Sequence, residues 1–313
     1  MAAAAHSVPF APNATEFIEP PTLPGWLQSQ LPWRRRVARI GDHNVHFIDH
    51  QAHREHAVLL MHGNPTWSYL WRKVIHALSG QPVRIIAPDL VGLGLSSKPR
   101  SGDFHQLANH IDVQTALIRS LHVERLTIVG QDWGGPIVAG VGHNLSDQLH
   151  GMVFANTAVL PPRRFKATAF HRFSNLPWLS DAVFKGLNFP IPVLWTTQGE
   201  RRSIGLRQTR GYAYPLRRIK DRAAPLALAR MVPTALDHPS VETLSIVGRW
   251  LSQWRGPSAL VWGTRDPILG RALKHHREVL KGAKVYETNA GHFLQEEVPE
   301  VLAQAIMEVV HTP

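Results

Sequence analysis

The chain has 313 residues, 44% of them hydrophobic and 18% charged, and carries a formal net charge of +11 at pH 7. That length and apolar content suit a large buried core, and the small charged fraction excludes a disordered chain. With no cysteine, disulfides, thiolate nucleophiles and zinc–thiolate sites are excluded together.

A net charge this positive attracts anions at long range. The basic residues are nonetheless scattered, densest in "WRRR" (Trp33 to Arg36) and in "ERRSIGLRQTRGYAYPLRRIKDR" from Glu200 to Arg222. No helix-turn-helix, zinc-finger or aromatic–basic RNA-binding signature accompanies them, so they read as solvated surface and no nucleic-acid partner is expected. No apolar run approaches the roughly 20 residues of a membrane span, and the start "MAAAAHSVPFAPNATEF" has no basic leader. The expectation is a soluble, unsecreted chain, with the cytoplasm as its default place.

In chain order, residues 1–30 are rich in Pro and Ala and read as an N-terminal arm. Strand-like segments then alternate with helix-like ones: "VHFIDH", "HAVLLMHG", "VRIIAPD", "LTIVG", "GMVFANT", "SALVWG" and "KVYETNAG". Several are continuous apolar runs, as parallel strands covered on both faces require. This alternation predicts an α/β fold with a doubly wound, mostly parallel sheet, its core formed by residues 31–157 and 241–313. Between them, residues 158–240 carry many Pro, Arg and aromatic residues and no convincing buried strand. Structureless loops of that length are rare in compact domains, so this segment is expected to be an inserted helical cap over the sheet's C-terminal edge.

Ligands of open α/β sheets bind beyond the carboxyl ends of the strands, and four such ends carry polar residues here. "VLLM" is followed by "HGNPTW" with Asn64, and "LTIVG" by Asp132 and Trp133. "ALVWG" is followed by "TRDPILG" with Asp266, and "VYETNAG" by His292. "GQDWGG" has the spacing of the nucleophile elbow G-x-S-x-G, in which small residues permit a strained strand-to-helix turn, but its central residue is Asp132. The chain order is nucleophile, acid, histidine.

These motifs, with "IIAPDLVGLGLSSKP" and "AGHFLQEEVPE", resemble the α/β-hydrolases with an aspartate nucleophile, and within them the haloalkane dehalogenases. The resemblance covers most of the chain outside the cap. It implies the α/β-hydrolase fold and a nucleophilic Asp132 that displaces halide from an sp3 carbon to form an ester. It further implies His292 as the base that activates water, with Asp266 as its supporting acid. The Asn64 amide and the Trp133 indole would clamp the halide, and their backbone N–H groups would receive the oxyanion. The implied partners are a small hydrophobic substrate and a halide ion; no cofactor and no metal are required, and the number of subunits is open.

Two departures from the family pattern stand out. The strand before the cap ends in Asn156 and Thr157 without a carboxylate, which leaves Asp266 as the acid. Trp67 stands in "HGNPTWSYLW" where many dehalogenases have a small residue, a variant resembling the branch that includes β-lactone decarboxylases. Sequence alone does not separate those two reactions, and epoxide hydrolysis with a Tyr212 and Tyr214 pair, or a catalytically dead binding protein, are further alternatives. Asp89 and the "GLG" at Gly92 to Gly94 lack the rest of a phosphate cradle and read as structural. The histidines of "HQAHREH" and "KHHRE" lack metal-ligand spacing.

Overall fold

Runs of β-branched and apolar residues become the strands, and their burial shows which strands are covered on both faces. The computed structural model describes residues 16–163, 165 and 169–313. Nine strands are β1 (Glu16–Ile18), β2 (Arg35–Ile40), β3 (His43–His50), β4 (His56–Met61), β5 (Arg84–Pro88), β6 (Arg125–Asp132), β7 (Leu149–Thr157), β8 (Ser258–Gly263) and β9 (Lys284–Thr288). They form one sheet in the order β1-β2-β3-β5-β4-β6-β7-β8-β9. Pairing is parallel from β5 through β9 and antiparallel among β1, β2, β3 and β5.

The seven expected strands are present, and the fold is the α/β-hydrolase fold with a mostly parallel sheet. Two strands went unread. β1 is exposed throughout and β2 is only partly buried, so neither shows the apolar run by which a central strand is recognised. Within the N-terminal arm Glu16–Ile18 is the edge strand and Gly25–Gln28 a short helix; residues 1–15 lie outside the described residues. β3 is antiparallel to both neighbours yet is buried without a break from Val45 to Asp49, much as β4, β5 and β8 are covered on both faces.

Helices Leu107–Ser120, Gly134–Asn144 and Pro239–Gln253 pack together on one face, and Arg72–Leu78 with Pro299–His311 on the other. The chain leaves β4 toward β5 on one side and returns to β6 on the other, which makes the C-terminal ends of β4 and β6 the switch point where an open sheet parts its loops. Asp89 sits just after β5 and is fully buried. It accepts from the Ser68 N–H (2.7 Å), the Leu95 N–H (2.7 Å) and His46 Nδ1 (2.8 Å). Those bonds close the loop after β5 on itself and tie it to β3 and to the turn after β4, and charge on a buried carboxylate so satisfied is stable: although burial opposes it, His46 and its neighbours hold the Asp89 pKa down to about 2.

Between β7 and Pro239 the described residues form short α, 3₁₀ and π turns with a small core of their own, Phe184, Leu226 and Ala229 packed with Phe173 and Phe189. This helical cap is tied to the sheet layer by buried polar bonds. Trp67 Nε1 donates to the Gly211 carbonyl (3.1 Å), and the Tyr212 hydroxyl to Glu296 (2.5 Å). Glu296 in turn takes both arms of the Arg72 guanidinium at 2.6 and 2.8 Å. Losing one partner from such a buried set leaves a charge uncompensated, so the junction is held in one register.

Several buried histidines are held as neutral rings. His276 donates through Nδ1 to the Ala272 carbonyl (2.8 Å) and accepts the Val159 N–H at Nε2 (3.2 Å). His105 and His110 share a 3.1 Å bond. Burial lowers His105 and His276 to about 4 and His110 well below its ordinary value. Because the unfolded chain binds these protons first, stability present above the unfolded value of 6.5 should be lost progressively as pH falls toward about 4. Denaturant unfolding at pH 7.5 and pH 5 (about neutral and about midway through that window) should give a lower unfolding free energy at the acid end; equal values would contradict the neutral assignment.

Candidate active site

β6 ends on a residue that the backbone places under strain. Asp132 has φ 52°, a left-handed value that costs a non-glycine residue about 1–3 kcal/mol and persists only where surroundings enforce it. The register slips between Gln131 and Asp132 against β7, and the Thr157 hydroxyl donates to the Asp132 carbonyl (2.6 Å). The helix Gly134–Asn144 starts immediately, close under the end of β4: a Cβ on Gly134 would lie 2.1 Å from the Met61 carbonyl oxygen. Side chains are therefore excluded around the turn, and the Asp132 carboxylate projects above the sheet.

Across from it, the loop after β4 brings the Asn64 N–H to Asp132 Oδ1 at 2.8 Å, and the Trp133 N–H also donates to the carboxylate. Two convergent backbone donors next to one carboxyl group form an anion hole. The loop approaches this closely because residue 63 is glycine: a Cβ there would stand 2.3 Å from Asp132 Oδ1 and 2.7 Å from the Trp133 nitrogen. Burial raises the Asp132 pKa, and His292 and the two N–H donors offset only part of that rise.

His292, 1% exposed, sits after β9 with Nε2 3.7 Å from Asp132 Oδ2. Its Nδ1 donates to Asp266 Oδ2 (2.9 Å), whose Oδ1 accepts the Ile268 N–H (2.7 Å). Nε2 is then an acceptor that faces Asp132. Burial alone would lower the pKa of His292; Asp266, its hydrogen bond and Asp132 outweigh that and hold it above the ordinary value. The ends of β6, β8 and β9 thus bring Asp132, Asp266 and His292 into one line, bonded between Asp266 and His292 and at 3.7 Å between His292 and Asp132, the arrangement in which a carboxylate orients a base toward a nucleophile.

Asn64 and Trp133 flank the same carboxylate. The Asn64–Pro65 peptide is cis. The Asn64 amide nitrogen donates one hydrogen to the Pro225 carbonyl of the cap (2.9 Å), and its Oδ1 has no partner. An NH₂ group carries two hydrogens, so one remains available. Trp133 is 9% exposed, and its indole N–H has no protein acceptor among the described residues. The Tyr212 and Tyr214 pair is not assembled: the Tyr212 hydroxyl is bonded to Glu296, and Tyr214 packs edge-on to Trp26.

Sequence reading missed the groups that hold the histidine. Gln131 Nε2 donates to His292 Nε2 (3.2 Å) and to its carbonyl (3.1 Å). The His292 N–H donates to the Thr197 carbonyl of the cap (2.9 Å), and Gln198 exchanges two bonds with Phe293. Glu297 accepts the N–H groups of Gly199, Glu200 and Gly291. Asn156, where a carboxylate was sought, bridges the two catalytic loops instead: its amide donates to the Gly291 carbonyl (2.8 Å) and its oxygen accepts the Gly263 N–H (2.9 Å). No periodicity or motif points to such contacts, which join residues far apart in sequence.

The family model for the alpha/beta hydrolase fold matches residues 56–196. The chain is 31% identical over 267 residues to a haloalkane dehalogenase of Mycobacterium marinum, covering 84% of this chain and 87% of that protein. It is 31% identical over 278 residues to haloalkane dehalogenase 2 of Mycobacterium tuberculosis, covering 84% and 90%. Among solved structures, the tetrameric haloalkane dehalogenase DpaA of Paraglaciecola agarilytica superposes with a TM-score of 0.77 at 22% identity, over 95% of this chain and 99% of that one. DbeA of Bradyrhizobium elkani gives 0.79 at 23%, over 88% and 98%.

Adding one methyl group to the loop tests the close approach directly. Gly63→Ala should displace the carboxylate or its donors by the order of 1 Å and cost roughly 100-fold in kcat/KM, with the chain still folded. Steady-state kinetics beside a thermal melt measures both; undiminished turnover would mean the loop does not position Asp132.

Proposed function

The chain belongs to the haloalkane dehalogenases of the α/β-hydrolase fold, and on that footing we propose that it cleaves carbon–halogen bonds through an ester formed on Asp132. The observation that carries the reading is the single line Asp266–His292–Asp132 beside two backbone N–H donors. Asp132 Oδ1 is occupied by the Asn64 N–H, which leaves Oδ2 as the attacking oxygen. A lone pair on Oδ2 forms the new C–O bond while the C–X bond breaks, and the halide leaves with the electron pair.

The departing anion is received by N–H groups. The free hydrogen of the Asn64 amide and the Trp133 indole N–H are neutral donors, and once Asp132 is esterified its charge no longer repels the halide. In a site covered by the cap, such donors count for more than they do in water. Hydrolysis follows: His292 Nε2 takes a proton from water, the oxygen attacks the carbonyl carbon of Asp132, and the oxyanion is held on the Asn64 and Trp133 N–H groups. The alcohol leaves with the oxygen that had been Oδ2, Asp132 regains a carboxylate, and one proton and one halide are released per turnover. The substrate this chemistry requires is a small haloalkane, and no cofactor enters any of these steps.

Ester formation also resets the base. Asp132 is one of the groups that hold His292 above its ordinary pKa, and the ester removes that charge. The His292 pKa should therefore be lower in the intermediate than in the free protein, so that the ring is neutral when water must be activated. Single-turnover measurements should show ester hydrolysis rising through a lower pKa than the one at which His292 titrates in the free protein. Coincident values would argue against charge loss at Asp132.

Two further outcomes are expected. His292→Phe should release one equivalent of bromide from a bromoalkane and then stop, with the mass of the alkyl group on the peptide that contains Asp132. Its absence despite demonstrated binding would exclude the ester. Trp133→Phe keeps the ring but removes the N–H, and halide release should slow by roughly 10²–10³. If alkene and carbon dioxide from a β-lactone appeared where bromo- and chloroalkanes gave no halide, the second reaction named by the sequence would replace this one.

A further inference from the structure

The positive charge is concentrated in one part of the molecule. Residues 158–240 hold fourteen Lys and Arg against four Asp and Glu, a net +10 of the chain's +11, so the rest of the protein is nearly neutral. Among the described residues the same segment holds ten of the fourteen exposed large apolar side chains, including Trp178 at 88%, Leu187 at 69% and Ile219 at 63%. Charge and apolar exposure therefore coincide on the cap.

Hydrogen bonds bring several of these residues together. The Arg222 guanidinium donates to the carbonyls of Lys185 (2.7 Å) and Gly186 (3.1 Å), and also to those of Leu216 (2.7 Å) and Arg217 (3.2 Å). It thereby joins the turn that presents Leu187 to the loop that presents Ile219 among exposed Arg217, Arg218 and Lys220. Trp178 lies one short helical turn before, with the Ala182 N–H on its carbonyl (2.9 Å). Its φ is 64°, a conformation that costs a bulky residue energy and here turns a tryptophan out into solvent. The acidic Asp181 between them is matched by Lys185 (2.8 Å) and Arg230 (3.2 Å).

We propose that this face of the cap docks on an anionic lipid bilayer, with Trp178, Leu187 and Ile219 entering the headgroup boundary and the surrounding Arg and Lys meeting lipid phosphates. Basic residues next to exposed Trp and aliphatic chains are the chemistry of an interfacial surface. A nucleic acid fits less well: aliphatic Leu and Ile offer no ring on which a base can stack. No helix of the described residues is long and apolar enough to cross a membrane, so the contact is peripheral.

Flotation of the full chain with phosphatidylcholine vesicles, with and without phosphatidylglycerol, tests this. Binding should appear with the anionic vesicles, be absent from the neutral ones, and be released by salt. Arg218→Glu with Lys220→Glu should lower partitioning by more than about tenfold, and Trp178→Ser with Leu187→Ser by about tenfold, with unchanged thermal melts showing that both variants fold. Equal binding to neutral vesicles, binding indifferent to either double variant, or retention of duplex or single-stranded DNA without any vesicle binding would overturn the proposal.

Discussion

The site depends on one unfavourable backbone angle. Asp132 can present its carboxylate above the sheet only because β6 turns into a helix within two residues, and that turn is compatible only with glycine at its closest contacts. The strain is repaid by bonds that the turn alone makes possible: Thr157 on the Asp132 carbonyl, and the N–H groups of Asn64 and Trp133 on its carboxylate. A relaxed turn would lose the two N–H donors together with the position of the Asp132 carboxylate, so geometry and electrostatics cannot be separated here.

A second constraint comes from the cap, which helps to build the site as well as cover it. Thr197 to Glu200 clasp the loop that carries His292, through the His292 N–H, the Gln198–Phe293 exchange and Glu297. Pro225 holds the Asn64 amide, Gly211 holds the Trp67 indole, and Tyr212 closes the buried Arg72–Glu296 pair. Base and anion donor are thus both positioned partly by residues of the inserted segment. A movement of the cap would be felt at Nε2 of His292 and at the Asn64 amide in the same step.

The electrostatics follow one pattern. A buried charge survives where hydrogen bonds and an opposite charge compensate it, as at Asp89 and Glu296; where they do not, the ring stays neutral, as at His105, His110 and His276. Between those extremes stand Asp132, raised by burial, and His292, raised by its carboxylate neighbours against burial. Both are displaced upward, the carboxyl by the loss of water and the ring by the negative charge beside it.

Much of this was legible in the sequence because it rests on local pattern. Apolar runs reported the central strands, since a strand covered on both faces needs them, and the glycines of "GQDWGG" reported the turn, since no other residue fits. The strand ends reported Asn64, Asp132, Asp266 and His292. Tertiary structure alone decided the rest. The edge strand β1 and its neighbour β2 have too little buried surface to leave an apolar signature, and the bonds of Gln131, Asn156, Gln198 and Glu297 span up to 161 residues of chain. Tyr212 could have served chemistry or packing until its hydroxyl was found on Glu296. The physical reason is the same in each case: a side chain's identity fixes what it can donate or accept, but only the folded chain brings it a partner.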